Sequence, residues 1–243
     1  MWVEWVDGGV AEYLHRGYIF SEVFPMPFSD VEACHEMKPV VSPVCQDEED
    51  EELEKRTQEA RGDAVVQRLL ESRTVLVMGP VNQKLAESVI AQLLVLDQEN
   101  HQPIRVLVTS PGGHVDSGFA IHDVMRFVKS PVIGIGVGWV ASIAVPILLG
   151  AERDKRFALP NTRFLLHQPS GGAGGQAADI RIEAQEILKI RHRINQLIAE
   201  ETGQPLEKVE RDSDRNFWMT AEEALRYGLI TRIISHVGEL EGV

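Results

Sequence analysis

Val132-Ile133-Gly134-Ile135-Gly136-Val137-Gly138-Trp139-Val140-Ala141-Ser142-Ile143-Ala144 lies at the centre of the chain's apolar pattern. It lies inside a run, Ser130 to Ala151, that holds no charged residue and is long enough by count to cross a membrane. Its texture argues against that. Glycines alternate with β-branched residues over 132–137, which suits a buried strand, so the stretch predicts a strand there, a turn over 138–141 and a short buried helix over 142–150. The flanks carry no aromatic and basic anchors, and no second apolar span accompanies it.

Outward from this strand the chain alternates. Thr74 to Met78, Ile104 to Val108 and Arg163 to Leu166 read as apolar, β-branched strands. Between them, 82–100 carries Leu85, Val89, Leu93 and Leu94 at helical spacing, and 116–129 carries Phe119, Val124, Phe127 and Val128. Asp179 opens a long helix striped by Ile180, Ala184, Ile187, Ile190, Ile194, Leu197 and Ile198. Gly203 stops it, and Pro205 begins the next short helix. Thr220 and Glu223 form a capping box for a final helix that Gly228 ends. Repeated strand–helix units predict an α/β fold with a largely parallel sheet.

The composition narrows the function. The net charge of −13 is concentrated at the front, with −11 in residues 1–60 and −2 in the rest. No basic footprint for nucleic acid is present. Asp47-Glu48-Glu49-Asp50-Glu51-Glu52 repels itself, so residues 1–62 are expected to form an acidic, flexible extension or propeptide, or alternatively a regulatory arm, ahead of a domain over 63–243. Cys34 and Cys45 are the only cysteines, too few for a zinc knuckle or a secreted disulfide framework, and two reduced thiols are expected. The first residues carry neither the basic nor the apolar region of a signal peptide, so the expected setting is the cytoplasm.

Three segments carry groups that acyl transfer needs. Ser110-Pro111-Gly112-Gly113-His114-Val115 places paired glycines between a strand and a helix, where backbone amides can face an oxyanion. Ser142 stands at the N-terminal end of the buried helix, near free amides, although an ordinary N-cap would read the same way. His167 ends an apolar strand as a general base or as a satisfied core histidine. Alone, each has a plain structural explanation.

Together they resemble the proteolytic subunit of the ATP-dependent Clp protease. Gly-Pro-Val-Asn at 79–82, Ser-Pro-Gly-Gly at 110–113, Ala-Ser-Ile at 141–143 and His-Gln-Pro at 167–169 fall in that family's order and spacing. So do Lys155 to Asn161 and Gly203 to Asp212, and the resemblance spans roughly 63–235. It implies the Clp and crotonase-like spiral ββα fold with a protruding strand–helix handle, beginning near Ser170 to Ala178. It implies a serine endopeptidase with Ser142 as nucleophile, His167 as base, and the amides of Gly113 and Ile143 as oxyanion hole. Gly112, His114, Val115 and Ser170 fall at substrate-binding positions. No cofactor or metal is implied. The implied partners are further copies in stacked seven-membered rings, homomeric or mixed with a paralogue, a ring-shaped ATPase unfoldase, and unfolded polypeptides.

One position departs from the pattern. The family completes its triad with an aspartate, and here that place falls on Asn216. An amide can hold the imidazole tautomer but supplies no charge to the imidazolium. Two rival readings stay open: a catalytically weak or idle subunit completing a mixed barrel, and an acyl-CoA enzyme of the crotonase type. His114 is a rival base, and His122 and His192 read as packing or surface residues.

Overall fold

Parallel strands cannot be joined by tight hairpins, so the helices that alternate with strands in the sequence become crossovers. The computed structural model describes residues 13–15 and 18–20, and 64–242 apart from 171, 173 and 241. By contacts the chain divides into two units, 1–55 and 56–243. In the first, β1 (Tyr13–His15) and β2 (Tyr18–Phe20) pair antiparallel, Tyr13 opposite Phe20. The rest of the expected extension, with its acidic run, Cys34 and Cys45, lies outside the described residues.

In the second unit, a helix over 64–71 (α1) leads into β3 (Thr74–Met78), α2 (Gln83–Glu99), β4 (Ile104–Ser110), α3 (Val115–Phe127) and β5 (Val132–Ala141). There follow α4 (Ala144–Leu148), β6 (Arg156–Ala158), β7 (Arg163–Leu166), α5 (Ala177–Thr202) and α6 (Leu206–Asp212). The unit ends with β8 (Phe217–Met219), α7 (Ala221–Tyr227) and β9 (Arg232–Ile233). The sheet order is β3-β4-β5-β6-β9, and β7 pairs with both β5 and β8. All these pairings are parallel except β7 with β8.

Strand β5 departs from the expected turn over 138–141. It continues through Ala141, because Gly138 takes φ +64° and absorbs a register shift against β4. Val108 faces Gly136 while Ser110 faces Val140, so β5 carries two extra residues at the bend. Before the bend β5 pairs with β6 over Gly134–Gly136; after it, with β7 over Trp139–Ala141. The helix that follows is correspondingly short and starts at Ala144 instead of 142.

The helices pack as their periodicity requires. α2 buries Ala86, Val89, Leu93 and Leu96 against the sheet, each large side chain contributing about 1.5–3 kcal/mol. Gly203 and Gly228 both take left-handed conformations at helix ends, and the Thr220–Glu223 capping box is formed. His122 is buried on α3, where its Nδ1 lies 2.8 Å from the Pro146 carbonyl of α4 and burial holds the imidazole pKa down. The α5 stripe behaves differently along its length. Ile194 and Ile198 are buried, but Ile180, Ile182 and Leu188 toward the N-terminal end are exposed.

The foot of α5 is fixed by charge. Arg156 is 1% exposed; its Nε donates to the Ala151 carbonyl at 2.8 Å and its Nη2 to the Leu149 carbonyl at 2.9 Å, just past α4. It also pairs with the Glu201 carboxylate, which accepts a second bond from Arg126 at 2.9 Å. Burial alone would raise the Glu201 carboxyl, yet the two guanidiniums hold it below the ordinary 4.5. A depressed carboxyl contributes its stability above that ordinary value and loses it as pH falls through the lower folded one. Glu201→Gln leaves Arg156 a buried uncompensated cation. It is expected to lower the unfolding free energy by about 3 kcal/mol at pH 7, with the loss shrinking below pH 4. Chemical denaturation followed by circular dichroism checks this, and equal stability of the two proteins would contradict it.

Candidate active site

Parallel strands end on one side of a sheet, and loops there gather into a common crevice. The three segments singled out in the sequence all follow such carboxyl ends: Pro111-Gly112-Gly113 follows β4, Ser142 follows β5, and His167 follows β7. Ser142 is one of two non-glycine residues among those described with positive φ, at 58°. A left-handed serine is strained and persists only where its surroundings fix it. Its N–H donates to the Leu165 carbonyl at 2.9 Å, and its carbonyl accepts from Val145 N–H at 3.0 Å. Ser142 is therefore a strained strand-to-helix turn presenting its hydroxyl, and not the side-chain N-cap that the sequence suggested. The N-cap of α4 is Ile143.

Two glycines make room for this turn. A Cβ on Gly112 would lie 2.6 Å from Ser142 Cβ and 2.9 Å from the Ala141 carbonyl, so the glycine loop lies directly on the serine. A Cβ on Gly118 of α3 would lie 2.2 Å from Ile143 Cγ1, so the residue after the serine is seated in a helix notch. The motif at 79–82 has its own part: Val81 N–H donates to the Gly112 carbonyl at 2.8 Å and His114 N–H to the Val81 carbonyl at 2.8 Å. Gly113 can carry no side chain, since its Cβ would meet the Val81 oxygen at 2.2 Å. The Gly112 amide donates to buried Ser110 Oγ at 3.1 Å. Among the described residues, the amides of Gly113 and Ile143 have no acceptor. Two free donors thus flank the serine.

The register relates His167 to Asn216. In the antiparallel β7–β8 ladder Phe164 faces Met219 and Leu166 faces Phe217, so one step further sets His167 opposite Asn216. Neighbours at this spacing have Cβ atoms about 5 Å apart while the ladder geometry holds. The Gln168 side chain donates to the Asp214 carbonyl at 2.9 Å, and Arg163 stacks 4.4 Å from the Trp218 ring centre, holding the two strands together. The nearby aspartates are engaged elsewhere: Asp214 with Arg191 at 3.2 Å, and Asp212 with Lys208 and the Tyr227 hydroxyl. Asn216 is exposed, and no hydrogen bond joins Ser142 Oγ, the His167 ring and the Asn216 amide to one another among the described residues.

Ser142, His167, Ile143 and Val115 line one cleft, whose far wall is α5 and the Ser213 turn. Asn216 and Ser170 lie outside that lining, and Gly112 is buried beneath the serine. His114 is not free to act as a base, because its Nδ1 accepts from Ser117 N–H at 3.3 Å and contacts Ser117 Oγ at 2.8 Å as the N-cap of α3. His192 is exposed, 3.6 Å from Glu210. Sequence reasoning missed Gly118, Asn195 and Ser213 as neighbours of the serine. Gly118 in mid-helix was the one signal in the sequence, since glycine there is costly without a packing reason. Among the described residues no three His, Cys, Asp or Glu side chains gather to hold a metal ion, and no described helix is long and apolar enough to cross a membrane.

Comparisons with known proteins bear on this geometry. The Clp protease family model matches residues 56–237. The ATP-dependent Clp protease proteolytic subunit 3 of Rhizobium etli is 49% identical over 192 residues, 79% of this chain and 99% of its own. The ATP-dependent Clp protease proteolytic subunit 2 of Gluconobacter oxydans is 53% identical over 176 residues, 72% of this chain and 79% of its own. Among solved structures, a ClpP1 point mutant from Listeria monocytogenes aligns with TM-score 0.68 and 46% identity, over 73% of this chain and 99% of that one.

Gly118→Ala displaces Ile143 and with it the Ser142 turn, so peptide hydrolysis falls about a hundredfold while far-ultraviolet circular dichroism is retained. An unchanged rate would show that Ile143 does not seat the serine.

Proposed function

The chain belongs to the Clp protease family and has its α/β fold, and on that premise we propose that it is a serine endopeptidase acting through Ser142, His167 and Asn216. The observation that carries the proposal is the pair of registers, β5 beside β7 and β7 beside β8, which brings these three residues to one edge of one sheet.

His167 takes the Ser142 proton as Oγ attacks the scissile carbonyl, and the resulting oxyanion is received by the free amides of Gly113 and Ile143. The imidazolium then returns the proton to the leaving amine, leaving an acyl-enzyme. Water, deprotonated by the same imidazole, releases the second product and restores the serine. Asn216, opposite His167, accepts the second ring N–H through its carbonyl and fixes the tautomer. It gives the imidazolium no countercharge. Attack at Ser142 needs a small movement, because no hydrogen bond yet joins it to His167; such bonds often tighten only when substrate is bound.

The same proposal places the chain in two stacked seven-membered rings fed by a ring-shaped Clp ATPase with unfolded polypeptides, in the cytoplasm. Ile180, Ile182 and Leu188 on α5, exposed among the described residues, support self-association, since large apolar side chains clustered along one exposed stretch of helix favour burial against a partner. A second reading, a weakly active subunit in a ring mixed with an aspartate-bearing paralogue, is favoured by one feature: Asn216 in place of a charged group.

Degradation of an unfolded protein such as casein by the assembled rings with their ATPase is expected, and Ser142→Ala abolishes it; persistence in that variant would overturn the assignment. Asn216→Asp adds a carboxylate beside His167. It is expected to raise turnover of a fluorogenic peptide about tenfold or more at pH 8, because a carboxylate gives the imidazolium the countercharge that an amide lacks. Unchanged turnover would show that charge does not limit this site.

A further inference from the structure

Asn195 is the one buried side chain among those described with a polar atom left unpartnered. It is 2% exposed, its Oδ1 accepts from Ser213 Oγ at 3.0 Å, and its Nδ2 has no acceptor. A buried unpaired donor carries a desolvation cost that native proteins avoid unless the group has something to do. This one belongs to the wall of the cleft that holds Ser142 and His167. Ile143, Val115 and Ile198 make the neighbouring wall apolar, with Ser142, His167 and Ser213 as the other polar residues of the lining.

Its position is held from two sides. Ile194 and Ile198, one residue before and three after on α5, are buried in the core, which fixes the rotation of the helix. Ser213, 1% exposed, binds the amide oxygen and itself reaches the Glu210 carbonyl at 3.4 Å. The oxygen is thereby occupied and the nitrogen left over. A purely structural tie between α5 and the Ser213 turn uses only the oxygen. The unpartnered donor of this cleft-lining residue is what that tie leaves unexplained.

We propose that Asn195 is a specificity-determining residue, whose Nδ2 donates to the side chain that precedes the scissile bond and so favours uncharged residues carrying a hydrogen-bond acceptor over apolar ones of equal size. The inference rests on Ser142 being the nucleophile of this cleft. Such discrimination is the kind a built donor provides: a substrate that lacks the acceptor leaves the donor unpaired, whereas one that has it recovers the bond.

An isosteric substrate pair tests this. Two fluorogenic peptides differing only in O-methylserine or norvaline before the scissile bond are hydrolysed by the assembled full-length protein, its Asn195→Leu variant and its Asn195→Asp variant. The ether oxygen accepts but cannot donate. The ratio of kcat/KM for O-methylserine over norvaline is expected to be about tenfold higher for the wild type than for either variant, with norvaline hydrolysis by Asn195→Asp still measurable. If Asn195→Leu fails to assemble, the Asp variant alone decides. Equal ratios in all active proteins would reduce Asn195 to a structural tie and overturn the inference. A wild-type ratio below that of the variants would mean the free atom is the oxygen, and would overturn it too. No hydrolysis of either peptide, with Ser142 unreactive, would instead overturn the peptidase assignment on which the inference rests.

Discussion

Strand β5 has to serve two partners on the same edge, and the rest of the molecule follows from how it does so. Its first half pairs with β6 and its second half with β7, while β4 accompanies it on the other side throughout. A straight strand cannot hold both, because neighbouring strands accept one another only in register. The two extra residues and left-handed Gly138 bend β5 and reset that register. After the bend, Ala141 faces Leu165, and the next residue, Ser142, donates its N–H to the Leu165 carbonyl. The Ser142 turn is thus pinned to Leu165, on the strand that leads into His167. The β7–β8 ladder then extends the alignment to Asn216.

Strain at Ser142 is tolerated because it is surrounded. Gly112 lies against it, Ile143 fills the Gly118 notch, and Val81 braces the glycine loop from behind. The helix behind the serine is held at its far end by Arg156, which Glu201 of α5 partly neutralises. One helix therefore bears on the site in two ways: Glu201 at its foot steadies α4, and Asn195 lines the cleft. Its outer half carries Ile180, Ile182 and Leu188 exposed, so assembly there would bear on the same helix that walls the cleft.

The sequence made the alternation legible because helix and strand periods differ and the caps are strong: Gly203, Gly228 and the Thr220–Glu223 box all lie where the pattern put them. The course of β5 was not legible. A glycine at 138 reads equally as a turn or as a bend within a strand, and only the β4 register decides between them. Strands β6 and β9 were missed for a related reason, being two or three residues long and defined by their neighbours. Ser142, His167 and Asn216 were singled out from their spacing within a resemblance to a family, not from local pattern. Asn195 and Ser213 carried no such signal, since a polar residue on a helix reads as exposed until the fold buries it.

On the proposed mechanism Ser142 is activated in spite of an uncharged third group. The most direct measurement is intact-mass analysis of the assembled protein after exposure to a fluorophosphonate, beside Ser142→Ala. One adduct per chain, absent from the variant, is expected. An unlabelled wild-type protein, in rings shown to be assembled, would contradict that mechanism.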